Sequence, residues 1–497
     1  MTWLAQYISF KDKENVLFDL EVEDMEPPKK ILIGGNWVEG ADVIEVKSPF
    51  NGAIVGSVFS ADANQNQDAI SNAVAAVADL SRMGRFQLAK GLKNIARGIE
   101  QRRQELIDLI CLEAAKPVTL CRAEIDRAIA TFEVAAGEAE RFVGEVVPVD
   151  TQAVGKGKFA YTKRIPKGVI YGITPFNYPL NLAAHKIAPA LATGNAVIIK
   201  PSPRTPLSAL ILGEIFLASG LPKKALQIVP TDVSNIDAVI TDERVAMISF
   251  TGSADVGWSI KARVPKKTVA LELGGAAPVI IDETADLKKS IEKCLTGAFV
   301  FSGQVCISVQ RIYVHESLFE EFSGKFVEGA QKLKIGSPQE ESTQISSMID
   351  EAAAIRAESW IEEATGNGAR LLCGGTRQGS LLAPTVLTDT NPEMRVASQE
   401  IFAPVCIVER YTDFDSAIES ANSTRYGLQA AVFTADIARA TKASEQLKFG
   451  GVMINEGPTF RVDNMPYGGV KDSGYGREGV RYAMEEMTDV RIVVMSS

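Results

Sequence analysis

Between Gly168 and Asp282 the chain repeats one pattern: a short, nearly all-apolar run, then a stretch of helical periodicity, then another apolar run. The apolar runs lie at 169–173, 196–200, 226–230, 247–251 and 268–273, and the periodic stretches at 180–192, 206–219, 235–241 and 253–262. A strand without polar alternation is covered on both faces, and such strands alternating with helices build parallel βαβ units. The fold class is therefore α/β. Ligands in sheets of this kind bind beyond the carboxyl ends of the strands, so the residues that follow each apolar run are where chemistry is expected.

Other textures flank this core. Residues 1–30 end in an acidic run and Pro27-Pro28 and read as a surface extension. Short apolar runs broken by glycine over 31–56 predict small strands, and 66–143 is helical in pattern with a break at Pro117. Residues 157–164 mix apolar and charged side chains, as in an antiparallel strand with one wet face. Its long edge needs a partner. A second α/β region runs to 449, with strands near Arg311, Arg370, Val405 and Ala430, and the chain closes on an apolar strand over 490–495.

With 46% hydrophobic and 23% charged residues the composition is that of a globular protein. A net charge of −10 argues against a basic face for nucleic acid. Six cysteines without a C-x-x-C pair read as free thiols in a reducing, cytoplasmic setting. With only His185 and His315, no metal site is expected. There is no apolar run long enough for a membrane span, and the N-terminal residues do not read as a signal peptide.

Three segments carry the candidate chemistry. Phe301-Ser-Gly-Gln-Val-Cys306-Ile-Ser308 places a cysteine on a glycine-containing loop between a helix over 287–301 and a strand over 311–315. A thiol needs an electropositive or hydrogen-bonding setting to react, because the thiolate is the nucleophile. Ile173-Thr-Pro-Phe-Asn177-Tyr-Pro-Leu180 puts an amide after one strand, and Leu271-Glu272-Leu-Gly-Gly puts a carboxylate at the end of another. A thiol, an amide and a carboxylate could meet in one cleft. Gly474-Tyr-Gly-Arg-Glu-Gly479 matches G-x-G-x-x-G, but without the βαβ unit that the dinucleotide fingerprint requires it reads as a glycine turn.

Taken together, the chain from about residue 30 resembles the aldehyde dehydrogenase superfamily. The matching segments begin at Thr174-Pro-Phe-Asn-Tyr-Pro, Ala190-Leu-Ala-Thr-Gly-Asn, Lys200-Pro-Ser, Phe250-Thr-Gly-Ser and Leu271-Glu-Leu-Gly-Gly, and continue with Gly303-Gln-Val-Cys, Glu400-Ile-Phe-Ala-Pro and Pro466-Tyr-Gly-Gly-Val-Lys. The resemblance implies a Rossmann-type cofactor domain over 31–145 and 166–272 with a return at 456–475, and an α/β catalytic domain over 273–455. It also implies a small β oligomerisation arm formed by 146–165 and 485–497, joining a homodimer or homotetramer. It gives Cys306 the role of nucleophile, Asn177 that of oxyanion donor and Glu272 that of general base. Thr174, Pro175, Phe176, Lys200, Ser202, Arg204, Gly252, Ser253, Glu400 and Phe402 fall at cofactor-binding positions.

Two departures bear on specificity. The usual Lys-Pro-x-Glu of NAD-preferring members reads Lys200-Pro-Ser-Pro203-Arg204 here. Loss of the carboxylate that grips the ribose hydroxyls tips the expectation toward NADP, with NAD as the alternative. The texture around Tyr178, Cys306 and Arg461 is similar to the branch of lactaldehyde, phosphonoacetaldehyde and non-phosphorylating glyceraldehyde-3-phosphate dehydrogenases. Arg127, Tyr178 and Arg461 are the candidate substrate contacts, the two guanidiniums forming a clamp for an anion. Val305 stands where the phosphonate enzymes carry arginine. A CoA-acylating semialdehyde dehydrogenase and a catalytically silent homologue are the rival readings, and Glu272 with the complete set of three argues against both.

Overall fold

The computed structural model describes residues 27–496. The extension expected over 1–30 lies outside the described residues up to position 26.

The five apolar runs form strands Val169–Ile173, Ala196–Lys200, Leu226–Ile228, Val245–Thr251 and Thr268–Glu272. All five are parallel to one another, in the spatial order third, second, first, fourth, fifth. That order reverses between the first and fourth strands, which is where a doubly wound sheet opens a crevice for ligand. The edges are closed by antiparallel strands: Ile31–Ile33 and Asn36–Val38 on one side, Gly474–Tyr475 on the other. Helix Pro179–Ala192 is buried along its whole length, and four helices over 63–141 pack around this half.

A second sheet of seven strands runs from Ala277–Ile281 to Gly451–Ile454, parallel except at its Arg370–Cys373 edge. Four of its helices start where an aspartate can accept the free N–H groups of a first turn. Asp286, Asp350, Asp413 and Asp436 all do so.

A third, separate sheet pairs Lys158–Pro166 with the terminal strand Thr488–Ser496 in antiparallel register. The wet-faced strand thus finds its partner in its own chain. The terminal strand starts at Thr488 because Val480–Glu486 is helical. Its outer residues Val490, Ile492 and Val494 remain exposed. Among the described residues no helix is long and apolar enough to cross a membrane.

Candidate active site

The carboxyl ends of the first sheet and loops between strands of the second sheet enclose a cavity of about 920 Å³. Its walls hold Thr174, Pro175, Phe176, Asn177, Tyr178, Lys200, Ser202, Gly252, Ser253, Glu272, Cys306, Glu400 and Phe402, and also Arg127 and Arg461. The first sheet brings its residues together because each lies at or just beyond the carboxyl end of a strand: Lys200 and Ile173 are register partners, as are Glu272 and Thr251. Cys306 and Glu400 come from loops that precede strands Val309–His315 and Val405–Tyr411 of the second sheet.

Cys306 is half-buried, whereas the other five cysteines are buried. The helix before it ends at Phe299, two residues earlier than the sequence suggests, because Phe301 and Ser302 adopt left-handed backbone (φ 48° and 53°). Left-handed non-glycine residues are strained and must be held by their surroundings. Phe301 is buried, and the Ser302 hydroxyl donates to the Ser346 carbonyl (2.7 Å). At Gly303 (φ 71°) a Cβ would lie 2.0 Å from the Ala403 carbonyl oxygen, so only glycine fits. This knot sets the cysteine at the cavity. Protein crowding around the sulfur pushes its pKa up to about 11; the Tyr467 hydroxyl (3.0 Å) and Arg461 pull it down, while Glu400 and Glu272 push it up.

Asn177 is held from both sides. Its Nδ2 donates to the Gln304 carbonyl (2.9 Å) and its Oδ1 accepts from the Tyr178 N–H (3.1 Å). The backbone beneath it is fixed by a fully buried ion pair, Lys116–Glu124. Lys116 Nζ donates to the Asn177 carbonyl (2.7 Å), and Glu124 Oε1 accepts the Leu180 and Asn181 N–H groups (3.0 and 3.1 Å). Lys116 also sits 3.5 Å above the Tyr178 ring. The sequence reading missed this pair. Its two charges stand among many others in that helical stretch, so nothing in the pattern set them apart.

Glu272 is buried, and its Oε2 has no hydrogen-bond partner. Burial raises its pKa well above that of a free carboxylate, Glu478 adds repulsion, and Arg461 and Lys186 offset part of this. A poorly solvated carboxylate of raised pKa is the condition of a general base working near neutrality.

The cofactor end has the donor set that a dinucleotide requires. The Lys200 ammonium is buried with a single weak bond, 3.4 Å to the Pro201 carbonyl, and desolvation lowers its pKa. Ser253 precedes helix Ala254–Arg263 and makes no side-chain cap, leaving the helix N–H groups open to an anion. Glu400 accepts the Gly275 N–H (2.9 Å), and burial lifts its pKa to about 7. A Cβ at Gly274 would lie 2.0 Å from its Oε2, so glycine is what admits the carboxylate there. Arg204 turns the other way. Its guanidinium binds Asp350 (2.7 Å) across the interface of the two α/β halves, and Pro203, not Arg204, lines the cavity.

The two arginines expected to clamp an anion are both already paired. Arg127 binds Asp463 (2.7 Å), and Arg461, buried, binds Glu478 and lies over the Tyr467 ring at 3.8 Å. His185 joins the two pairs: its Nε2 lies 2.8 Å from Asp463 Oδ1 and its Nδ1 3.6 Å from Glu478 Oε1. Burial alone would raise Glu478, but His185, Arg461 and Lys186 outweigh it and bring it down to about 2. An interior ion network thus lies behind the cavity, and the sequence reading had found only its arginines.

The family profile of the aldehyde dehydrogenases matches residues 37–493. A lactaldehyde dehydrogenase of Methanococcus aeolicus is 40% identical over 479 residues, covering 94% of this chain and all of that one (100%). Aldehyde dehydrogenase 21 of Physcomitrella patens, solved with its reaction product succinate, superposes with a TM-score of 0.93 at 41% identity, covering 95% of this chain and 99% of that one. The glyceraldehyde-3-phosphate dehydrogenase of Methanocaldococcus jannaschii DSM 2661 complexed with NADP gives 0.89 at 37% identity, covering 93% and 100%. On its sequence and its fold together, the chain belongs to the aldehyde dehydrogenase family.

Proposed function

We propose that the protein oxidises a small polar or anionic aldehyde to its carboxylate with NADP or NAD, through a covalent intermediate on Cys306. The observation that carries this reading is the meeting of Cys306, Asn177 and Glu272 on one cavity that also holds Lys200, Ser253 and Glu400.

Cys306 attacks the aldehyde carbon. One Asn177 Nδ2–H is spent on Gln304; the second, with the Cys306 backbone N–H, meets the oxyanion that forms. Donors placed where charge develops are worth about 3–4 kcal/mol each. NAD(P)+ bound in the cavity supplies the hydride acceptor. Lys200, Ser253 and Glu400 hold its adenosine ribose, pyrophosphate and nicotinamide ribose. The thioester left on Cys306 is hydrolysed by a water that gives its proton to Glu272.

NADP is favoured over NAD because Pro203 stands where NAD-preferring members carry the ribose-gripping carboxylate; the acidic group that acts on Lys200 here is Asp232, from another loop. An acidic or polar substrate is favoured by the positive edge of Arg127 and by the relatives, whose names include lactaldehyde and glyceraldehyde 3-phosphate and whose bound product is succinate. Because Arg127 keeps Asp463 at its other side, it offers one face to an anion rather than half of a free clamp. A panel of short aldehydes, neutral and acidic, assayed by absorbance with each cofactor, tests the reading. Turnover is expected with an acidic or hydroxylated aldehyde and NADP; turnover with long apolar aldehydes alone would reject it.

The third sheet supports a homodimer or homotetramer. Val490, Ile492 and Val494 present one apolar face of a strand to solvent, as an intersubunit sheet does. Light scattering reads the assembly directly.

A further inference from the structure

We propose that the Tyr467 hydroxyl is a further catalytic group: it donates a hydrogen bond to the Cys306 sulfur and holds the thiolate ready for attack. This rests on Cys306 being the nucleophile.

The geometry is specific. Tyr467 Oη lies 3.0 Å from Cys306 Sγ, and this is the hydroxyl's one side-chain hydrogen bond among the described residues. The ring is buried, and its backbone is fixed by a pair of bonds to Glu478: the Tyr467 N–H donates at 2.9 Å and its carbonyl accepts at 2.6 Å. Above the ring, at 3.8 Å, lies the Arg461 guanidinium. A cation on the aromatic face draws electron density from the ring and makes its hydroxyl a stronger donor.

A phenylalanine would fill the same volume. The hydroxyl therefore needs a reason to be there, since a buried hydroxyl without a good acceptor costs stability. A neutral thiol is a weak acceptor and a thiolate a strong one. The phenol consequently favours the ionised sulfur over the protonated one. The other ionisable groups facing the sulfur are Glu272 and Glu400, which oppose ionisation, and Arg461, which supports it. Tyr467 is the neutral donor in that set, and burial together with the nearby sulfur holds its own pKa well above the usual phenol value, so it keeps its proton.

The step balances without any proton leaving Tyr467. The thiol proton passes to water or to Glu272. The sulfur lone pair forms the S–C bond, and the carbonyl π pair moves to the oxygen held by Asn177. As negative charge leaves the sulfur the phenol bond weakens, so its stabilisation falls on the nucleophile before attack.

The test uses the full-length enzyme. Iodoacetamide alkylation of Cys306, identified by peptide mass spectrometry, is followed against pH for wild type and Tyr467→Phe. The buried cysteines serve as internal controls. The expected result is a rise of about one to two units in the alkylation midpoint, with a cofactor-reduction burst slowed at least about tenfold at neutral pH. Fluorotyrosine at position 467, a stronger donor, is expected to move the midpoint the other way. An unchanged midpoint and burst in Tyr467→Phe would overturn the proposal, even if the variant melts earlier. Failure of the underlying reading has a different signature: wild-type enzyme that stays active after Cys306 is alkylated.

Discussion

Replacing Asn177 by alanine removes a single amide, and the structure says what depends on it. One Nδ2–H holds the Gln304 carbonyl at 2.9 Å and Oδ1 takes the Tyr178 N–H; in the proposed mechanism the other Nδ2–H meets the substrate oxygen. The side chain is 5% exposed, so water does not replace it. Loss of the substrate-facing donor removes about 3–4 kcal/mol from the transition state, roughly a 10²–10³-fold fall in kcat. Loss of the other bond leaves a buried carbonyl unpaired, at a cost of about 1–3 kcal/mol in stability. The two effects separate in different assays. Stopped-flow absorbance of the reduced cofactor in a single turnover reads the first, and thermal unfolding the second. The burst is expected to slow by the full factor while KM for the cofactor is unchanged, since Lys200, Ser253 and Glu400 are untouched. A variant that melts earlier but keeps its burst within about fivefold of wild type would show that Asn177 is only a structural strut.

Two further outcomes follow from the same geometry. Pro203→Glu puts a carboxylate beside Lys200, and kcat/KM is expected to fall for NADP while holding or rising for NAD; equal changes with both cofactors would place the adenosine ribose elsewhere. Glu478 and Asp463 titrate below their ordinary values, as burial is outweighed in Glu478 by His185, Arg461 and Lys186, and in Asp463 by His185 and Arg127. A depressed carboxylate contributes stability above its unfolded pKa of about 4 that is lost as the pH falls toward the folded value. Asp463→Asn is therefore expected to lower the melting temperature at pH 7 and to flatten its decline between pH 5 and 3. Melting curves that stay parallel to wild type across that range would contradict the assignment.

The parallel sheet was legible because its strands are buried on both faces and so carry no polar alternation. Once those strands are placed, Asn177, Lys200, Ser253 and Glu272 fall at their carboxyl ends with no further information. Cys306 was legible from its loop and its company. The residues that went unseen share a physical reason. Glu478 and Asp463 sit in irregular, glycine-rich chain, where a charge reads by default as solvated, and their burial comes from helix Pro179–Ala192 packing over them through His185 and Lys186. Lys116 and Glu124 neutralise each other, which only tertiary structure reveals. Arg204, expected beside the cofactor, is drawn away from the cavity by Asp350, 146 positions along the chain in the other half.

The central claim is that Cys306 carries the acyl group and Glu272 releases it. Glu272→Gln tests this most directly. With substrate and cofactor in excess, one equivalent of cofactor per active site is expected to be reduced rapidly, after which turnover falls at least about 10²-fold, and mass spectrometry finds the acyl group on Cys306. Sustained turnover at the wild-type rate, or a burst with no added mass on Cys306, would contradict the account.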